Sequence, residues 1–410
     1  MKKITAILLF ALSLAGAFAA KTRVACVGDS ITDGFGLANP SQDSWPALLG
    51  DMLGEGYDVR NFGQTGKTLQ KNGDQSYWDE RKYKAALEFE PDIVVIKLGT
   101  NDAKEKNWKD PKNFEADLAE FAASFKALPS KPRIYMGTSA WVRKDAIGIT
   151  GGRVDGGVVP IQKKIAKMGG YKLLDFNSLL RDHPDWYCDD IHPNEKGALE
   201  MAKFVYKALR GKNPPPLPKI RGKKSDFNEY ERYDFKFRFR DATLFVPANP
   251  SKDGAWIWAP ARFDGGDKFL HDLYRKFLKD GYYILHTDVD SWLGNPNSIK
   301  WGDGVLKYYR DTLGFSGDVN FVAAGTGAIY AVNFAAANPG TVKSLFLISP
   351  VYDAAEWAAR DGNNMKKFLQ EWRLTPEDVP SVEGLGERNL AKIREAGIKM
   401  TVMDSEPSGE

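Results

Sequence analysis

The sequence predicts two α/β domains, the first a parallel sheet with helices on both faces. Three observations carry this reading. The chain has 410 residues, more than one hydrophobic core usually fills. Short β-branched runs alternate with amphipathic helical stripes in both halves, the pattern of βα units. Between the halves lies Asn213-Pro214-Pro215-Pro216-Leu217-Pro218, which cannot continue a helix and favours extended polyproline geometry.

The chain opens with the pattern of a signal peptide over residues 1–20. Lys2 and Lys3 form a positive start, residues 7–14 an apolar middle and residues 17–20 a small-residue end. That apolar stretch is short for a bilayer span, and no cysteine stands at its end to take a lipid anchor. An exported, periplasmic or secreted protein without an integral membrane segment is expected. Its first domain would cover residues 21–212, a linker 213–224 and a second domain 225–410.

Five strands are expected in the first domain, over residues 23–27, 57–61, 93–98, 133–136 and 171–174. Phe114, Leu118, Phe121, Phe125 and Leu128 recur at helical spacing and share one face. Pro129 and Pro132 stop that helix. Leu199, Ala202, Val205 and Leu209 form another such stripe. In the second domain Phe235, Phe237 and Phe239 alternate with charged residues as in a half-buried strand. Further strands are expected over 256–259, 282–287, 319–323 and 344–348.

Composition narrows the function. With 43% apolar and 27% charged residues the chain is an ordinary globular one. A net charge of +3, with no arginine-rich stripe, leaves no electrostatic footprint for nucleic acid. Lys219, Arg221, Lys223 and Lys224 follow the prolines and read as a solvated linker. Two cysteines, Cys26 and Cys188, could pair in an exported protein, although strand geometry favours two unpaired thiols.

In open parallel sheets ligands sit at the carboxyl ends of the strands. Three clusters fall there: Gly28-Asp29-Ser30, Asn61-Phe62-Gly63 and Gly99-Thr100-Asn101-Asp102. A fourth, Asp189-Asp190-Ile191-His192-Pro193, precedes the last helix of the first domain. Together they supply the parts of an acyl transfer. A serine hydroxyl needs an adjacent base, and an imidazole suits that role near neutral pH. Ser30 is therefore the expected nucleophile and His192 the base. Asp189, three residues earlier, can hold the imidazole in the required tautomer. The N–H groups of Ser30 and Gly63 and the amide of Asn101 could bind the developing oxyanion.

These blocks, Gly-Asp-Ser-Ile-Thr, Asn-Phe-Gly, Gly-Thr-Asn-Asp and Asp-x-x-His-Pro, resemble the SGNH (GDSL) hydrolase family over residues 22–210. The resemblance implies a flavodoxin-like three-layer α/β/α sandwich and ester hydrolysis without metal or cofactor. It matches Ser30, Asp189 and His192 to the triad and Gly63 and Asn101 to the oxyanion donors. Its spacing favours Asp189 over the neighbouring Asp190. His183 reads as a turn residue. Gly66-Lys67-Thr68 has the look of a P-loop tail, but Asn61 stands where that motif needs glycine.

The wording around the blocks resembles exported carbohydrate deacetylases, of the sialate O-acetylesterase or acetylxylan esterase kind. An acetylated carbohydrate or other small ester is the expected partner. Asp29, Trp78 and Trp108 are expected at the substrate, with Trp141 as a further aromatic face. The alternatives are a lipid or thioester acylhydrolase and a non-catalytic glycan-binding protein.

In the second domain, residues 323–328 resemble the strand-turn-helix of α/β-hydrolases. Gly325 occupies the nucleophile position, Thr326 is one place off, and no histidine follows His286 to serve Asp404. A domain of that kind without catalysis is expected. His286-Thr287-Asp288-Val289-Asp290 reads as a strand end rather than a metal site.

Overall fold

The computed structural model describes residues 20–261 and 268–404. The expected signal peptide lies almost wholly outside these residues. The chain divides into two units between Pro216 and Leu217, within the proline-rich segment.

The first unit is built on β1 (Thr22–Gly28), β2 (Tyr57–Gly63), β3 (Ile93–Lys97), β4 (Arg133–Gly137) and β5 (Lys172–Leu174). All pair in parallel, in the order β2-β1-β3-β4-β5. This is the flavodoxin-like order, which places its topological switch between β1 and β3. Ala25 and Val27 of β1 face a core shared with Val94 and Ile96 of β3 and with Tyr83, Phe114, Phe121 and Ile165 from three helices. Alternation along the strand turns Val24 and Cys26 to the opposite layer. There the helices Trp45–Leu53 and Glu195–Arg210 pack on each other, and Phe176 links Trp45 to Phe204.

Local chemistry sets the helix limits. In the helix Pro111–Lys126, Asp110 accepts a hydrogen bond from the Lys112 N–H and Pro111 occupies the first turn, both start signals. Its Phe114, Leu118, Phe121 and Phe125 are buried, as their spacing predicts. The helix Glu195–Arg210 is capped by Asn194, which accepts from two backbone N–H groups.

The second unit holds β6 (Lys223–Phe227), β7 (Tyr230–Phe237), β8 (Arg240–Val246), β9 (Trp256–Ala259), β10 (Tyr283–Thr287), β11 (Val319–Ala324), β12 (Val342–Ile348) and β13 (Lys399–Met403). Their order is β13-β12-β11-β9-β10-β8-β7-β6. The sheet is mixed. β6, β7, β8 and β10 pair antiparallel, and β9 to β13 otherwise pair in parallel. The expected strand through Phe235, Phe237 and Phe239 is corrected: it ends at Phe237. Arg238 (φ +44°) and Phe239 (φ +70°) form a two-residue hairpin turn, since hairpins whose strands twist normally need positive φ at both turn positions. Phe239 is left exposed. Residues 223 and 224, expected in the linker, belong to β6. Gly325, at φ +50°, makes the turn from β11 into the helix Gly327–Ala337. Among the described residues no helix is long and apolar enough to cross a membrane.

Candidate active site

Ser30 opens the short helix Ser30–Asp33 directly after β1, with Asp29 as its cap. His192 reaches it from the loop before the helix Glu195–Arg210. The Ser30 Oγ and His192 Nε2 lie 2.9 Å apart, and both side chains are buried. His192 Nδ1 lies 2.8 Å from Asp189 Oδ2. The other oxygen, Asp189 Oδ1, accepts the backbone N–H groups of Ile191 and His192, each at 2.7 Å. The carboxylate therefore holds the imidazole and its backbone together. Burial pushes the Asp189 carboxyl up, but those N–H groups and the imidazole outweigh it and hold Asp189 below its ordinary range. Asp190 turns away and pairs with Arg143 at 2.7 Å.

The loops after β1, β2 and β3 are tied together: the Gln64 N–H donates to the Gly28 carbonyl at 2.9 Å, and Lys97 joins Asp29 to Thr100. Asn101 follows β3, and its Nδ2 donates to the Lys67 carbonyl at 3.1 Å, which leaves one amide proton over. The Asp102 carboxylate accepts the N–H groups of Leu69 and Gln70 at 2.9 and 2.8 Å. The loop after β2 is thus fixed to the turn that carries Asn101. Complete burial pushes the Asp102 carboxyl up to about 6, against the pull of those two N–H donors.

The structure corrects four of the expected site residues. The Gly63 N–H donates to Asn61 Oδ1 at 2.8 Å and is already committed. Gly66, three residues on, sits at φ +83°. Among the described residues its N–H has no hydrogen-bond partner, and neither has that of Ser30. The glycine pattern that a P-loop comparison set aside marked this turn. Asp29 is fully buried in an ion pair with Lys97 and offers substrate no surface. Trp78 packs edge-on against Tyr83 and Phe121, donates to the Leu69 carbonyl and lies under the Lys71 ammonium. Trp108 packs on Phe114 and against Gly157, where a Cβ would stand 2.5 Å from the indole. Both indoles serve packing. Trp141 contacts Tyr187 edge-on near the Asp189 loop, and His183 stacks on Trp186. Cys26 and Cys188 are free thiols.

Residues 26–199, which hold all of these loops, match the GDSL-like Lipase/Acylhydrolase family. The first unit is a GDSL-like hydrolase domain. An acetylxylan esterase from Xylanibacter ruminicola is 38% identical over 206 residues, covering 46% of this chain. The matched segment is 43% of that relative's length, so the chain spans less than half of it. Among solved structures, a lipase/acylhydrolase from Enterococcus faecalis is 20% identical over 48% of this chain and 99% of its own, with a TM-score of 0.39. A catalytic mutant of an acetylxylan esterase from Geobacillus stearothermophilus is 21% identical over 47% of this chain and 95% of its own, with a TM-score of 0.38.

The GDSL-like domain also holds two groups that sequence reasoning missed. Phe35, five residues beyond Ser30, lies with its ring centroid 4.6 Å from that of His192 and is half exposed. Lys97, at the end of β3, is wholly buried beneath the serine turn. A lysine closing an apolar strand reads as a residue leaving for solvent. Only the fold shows that it points inward.

Proposed function

We propose that the first unit is a serine esterase that removes acetyl groups from carbohydrate, in the manner of an acetylxylan esterase. One observation carries the reading: hydroxyl, imidazole and carboxylate of Ser30, His192 and Asp189 form an unbroken hydrogen-bonded line. As Ser30 Oγ attacks the acetyl carbonyl carbon, its proton passes to His192 Nε2. Asp189 stabilises the imidazolium that results. The Ser30 N–H, the remaining Asn101 amide proton and, in place of Gly63, the Gly66 N–H are the donors available to the oxyanion. Collapse of the tetrahedral adduct breaks the bond to the sugar oxygen, which takes the proton from His192. Water then hydrolyses the acetyl-serine by the same steps, with His192 again as base.

The acetylated-sugar part of this reading draws on the Xylanibacter ruminicola relative. Export, which the first twenty residues suggest, belongs to the same proposal. We assign the second unit an α/β-hydrolase-like fold without catalysis, because the turn after β11 presents Gly325, which has no side chain to act as nucleophile. Replacing Ser30 with alanine tests the function directly. Release of acetate from acetylated xylan and from p-nitrophenyl acetate should vanish while the protein remains folded. Undiminished release would remove Ser30 from the reaction.

A further inference from the structure

We infer that Phe35 is the platform on which the sugar ring stacks while its acetyl group meets Ser30. This rests on the esterase reading above and names a surface for it, since Trp78 and Trp108 are partly buried and engaged in packing against the core. Phe35 stands between Gly34 at φ +92° and Gly36 at φ +87°, a left-handed backbone that glycine adopts without strain. Two such turns thrust the intervening ring outward.

The loop is nevertheless held at both ends. The N–H groups of Gly34 and Phe35 both donate to the Ser30 carbonyl at 2.9 Å. The Ala38 N–H donates to the Glu195 carboxylate at 3.0 Å. Gly36 is pressed to Cys188, whose Sγ would lie 2.5 Å from an added Cβ. The ring is therefore fixed against the imidazole, tilted 47° to it, while half of it faces outward.

Position decides which part of the ester it meets. His192 delivers its proton to the leaving oxygen, so a ring beside the imidazole meets the alcohol portion and not the acyl chain. In a sugar acetate that portion is a pyranose, whose C–H groups suit the electron-rich face of an aromatic ring. A long acyl chain would lie on the other side of the reacting carbon.

The test compares the full chain with Phe35→Ala, Phe35→Leu and Phe35→Trp on an acetylated xylo-oligosaccharide, ethyl acetate and p-nitrophenyl octanoate. Thermal unfolding is followed alongside. Loss of the ring should lower the oligosaccharide-to-ethyl-acetate ratio of kcat/KM by about tenfold, chiefly through KM. Phe35→Leu should behave like Phe35→Ala, and Phe35→Trp should restore the ratio. An equal fall on both acetates would make Phe35 a support for His192 and overturn the platform. So would a leucine variant that matches the parent, or a loss confined to the octanoate. If the parent and Ser30→Ala release acetate from ethyl acetate at the same rate, the esterase reading fails first and takes this inference with it.

Discussion

The Lys97 ammonium and the Asp29 carboxylate form an ion pair with no exposure on either side, Nζ lying 3.1 Å from Oδ1 and 3.2 Å from Oδ2. A third contact, 3.0 Å to Thr100 Oγ1, uses the last ammonium proton. One buried cation thereby joins the residue before Ser30 to the residue before Asn101. Burial draws the Lys97 ammonium below its ordinary pKa, and Asp29 opposes that shift. Gly28, paired with Lys97 across the sheet, permits the close approach: a Cβ there would stand 2.7 Å from the Lys97 carbonyl oxygen.

Removing one member of this pair leaves the other charged and buried. We expect Lys97→Met to destabilise the first unit by about 3–5 kcal/mol. Asp29→Asn combined with Lys97→Met removes both charges and should recover most of that loss. Thermal unfolding of the two variants checks this. A double variant no more stable than the single would show that the pair's geometry, not its charge, supports the fold.

The oxyanion donors can be separated by rate. Asn101→Ala should lower kcat by about 10²–10³-fold with little change in KM, the effect of losing a donor that acts in the transition state. Asn61→Ala releases the Gly63 N–H and should have a smaller effect, because that group serves Asn61. A fall in kcat for Asn61→Ala as deep as that for Asn101→Ala would show that Asn61, which also donates to the Thr32 carbonyl, holds the serine turn in its working geometry.

Much of this site is legible in the chain because acyl transfer demands particular residue types at strand ends. Ser30, Asn101, Asp189 and His192 are found that way, and the structure brings Ser30, Asp189 and His192 into one hydrogen-bonded line. Gly63 and Gly66 are not separable by sequence. Gly63 closes β2 and Gly66 lies three residues on, and which N–H is committed depends on the Asn61 side chain folding back to accept it. The tryptophans fail for a similar reason, since a ring that can stack on sugar packs equally well on Phe121 or Phe114. In the second unit Arg238-Phe239 lacks the Gly or Asn signature of a tight hairpin turn. The alternation of phenylalanines thus runs on past the strand's real end.

Asp102 should leave a mark on stability as a function of pH. Its carboxyl is raised from an ordinary 3.8 to about 6 by burial, so the folded state holds this proton more tightly than the unfolded state. The contribution is fully present below pH 3.8, declines as pH rises to about 6, and stays lost above it. A shift of this size corresponds to about 3 kcal/mol. Asp102→Asn cannot ionise, so the stability of the parent relative to this variant should fall by that order between pH 4 and pH 7. Urea unfolding at both values measures it. A difference independent of pH would mean that Asp102 does not titrate in this range.

Asp189 has the opposite sign. Its folded-state value lies below the ordinary 3.8, so its contribution is fully present above that pH and disappears as pH falls through the lower folded value. Asp189→Asn removes this dependence, and the variant should lose less stability than the parent below pH 3.8. Its kinetic effect reaches further. An asparagine amide facing Nδ1 can donate to it, favouring the tautomer with the proton on Nε2, where Ser30 needs an acceptor. We expect kcat to fall by about 10³–10⁴-fold with KM for the acetyl ester little changed. Asp190→Asn is the control: Asp190 pairs with Arg143, so its loss should leave the His192 tautomer and kcat unaltered. The decisive comparison is the rate of acetyl-serine formation in a single turnover, which should fall in Asp189→Asn as far as kcat does.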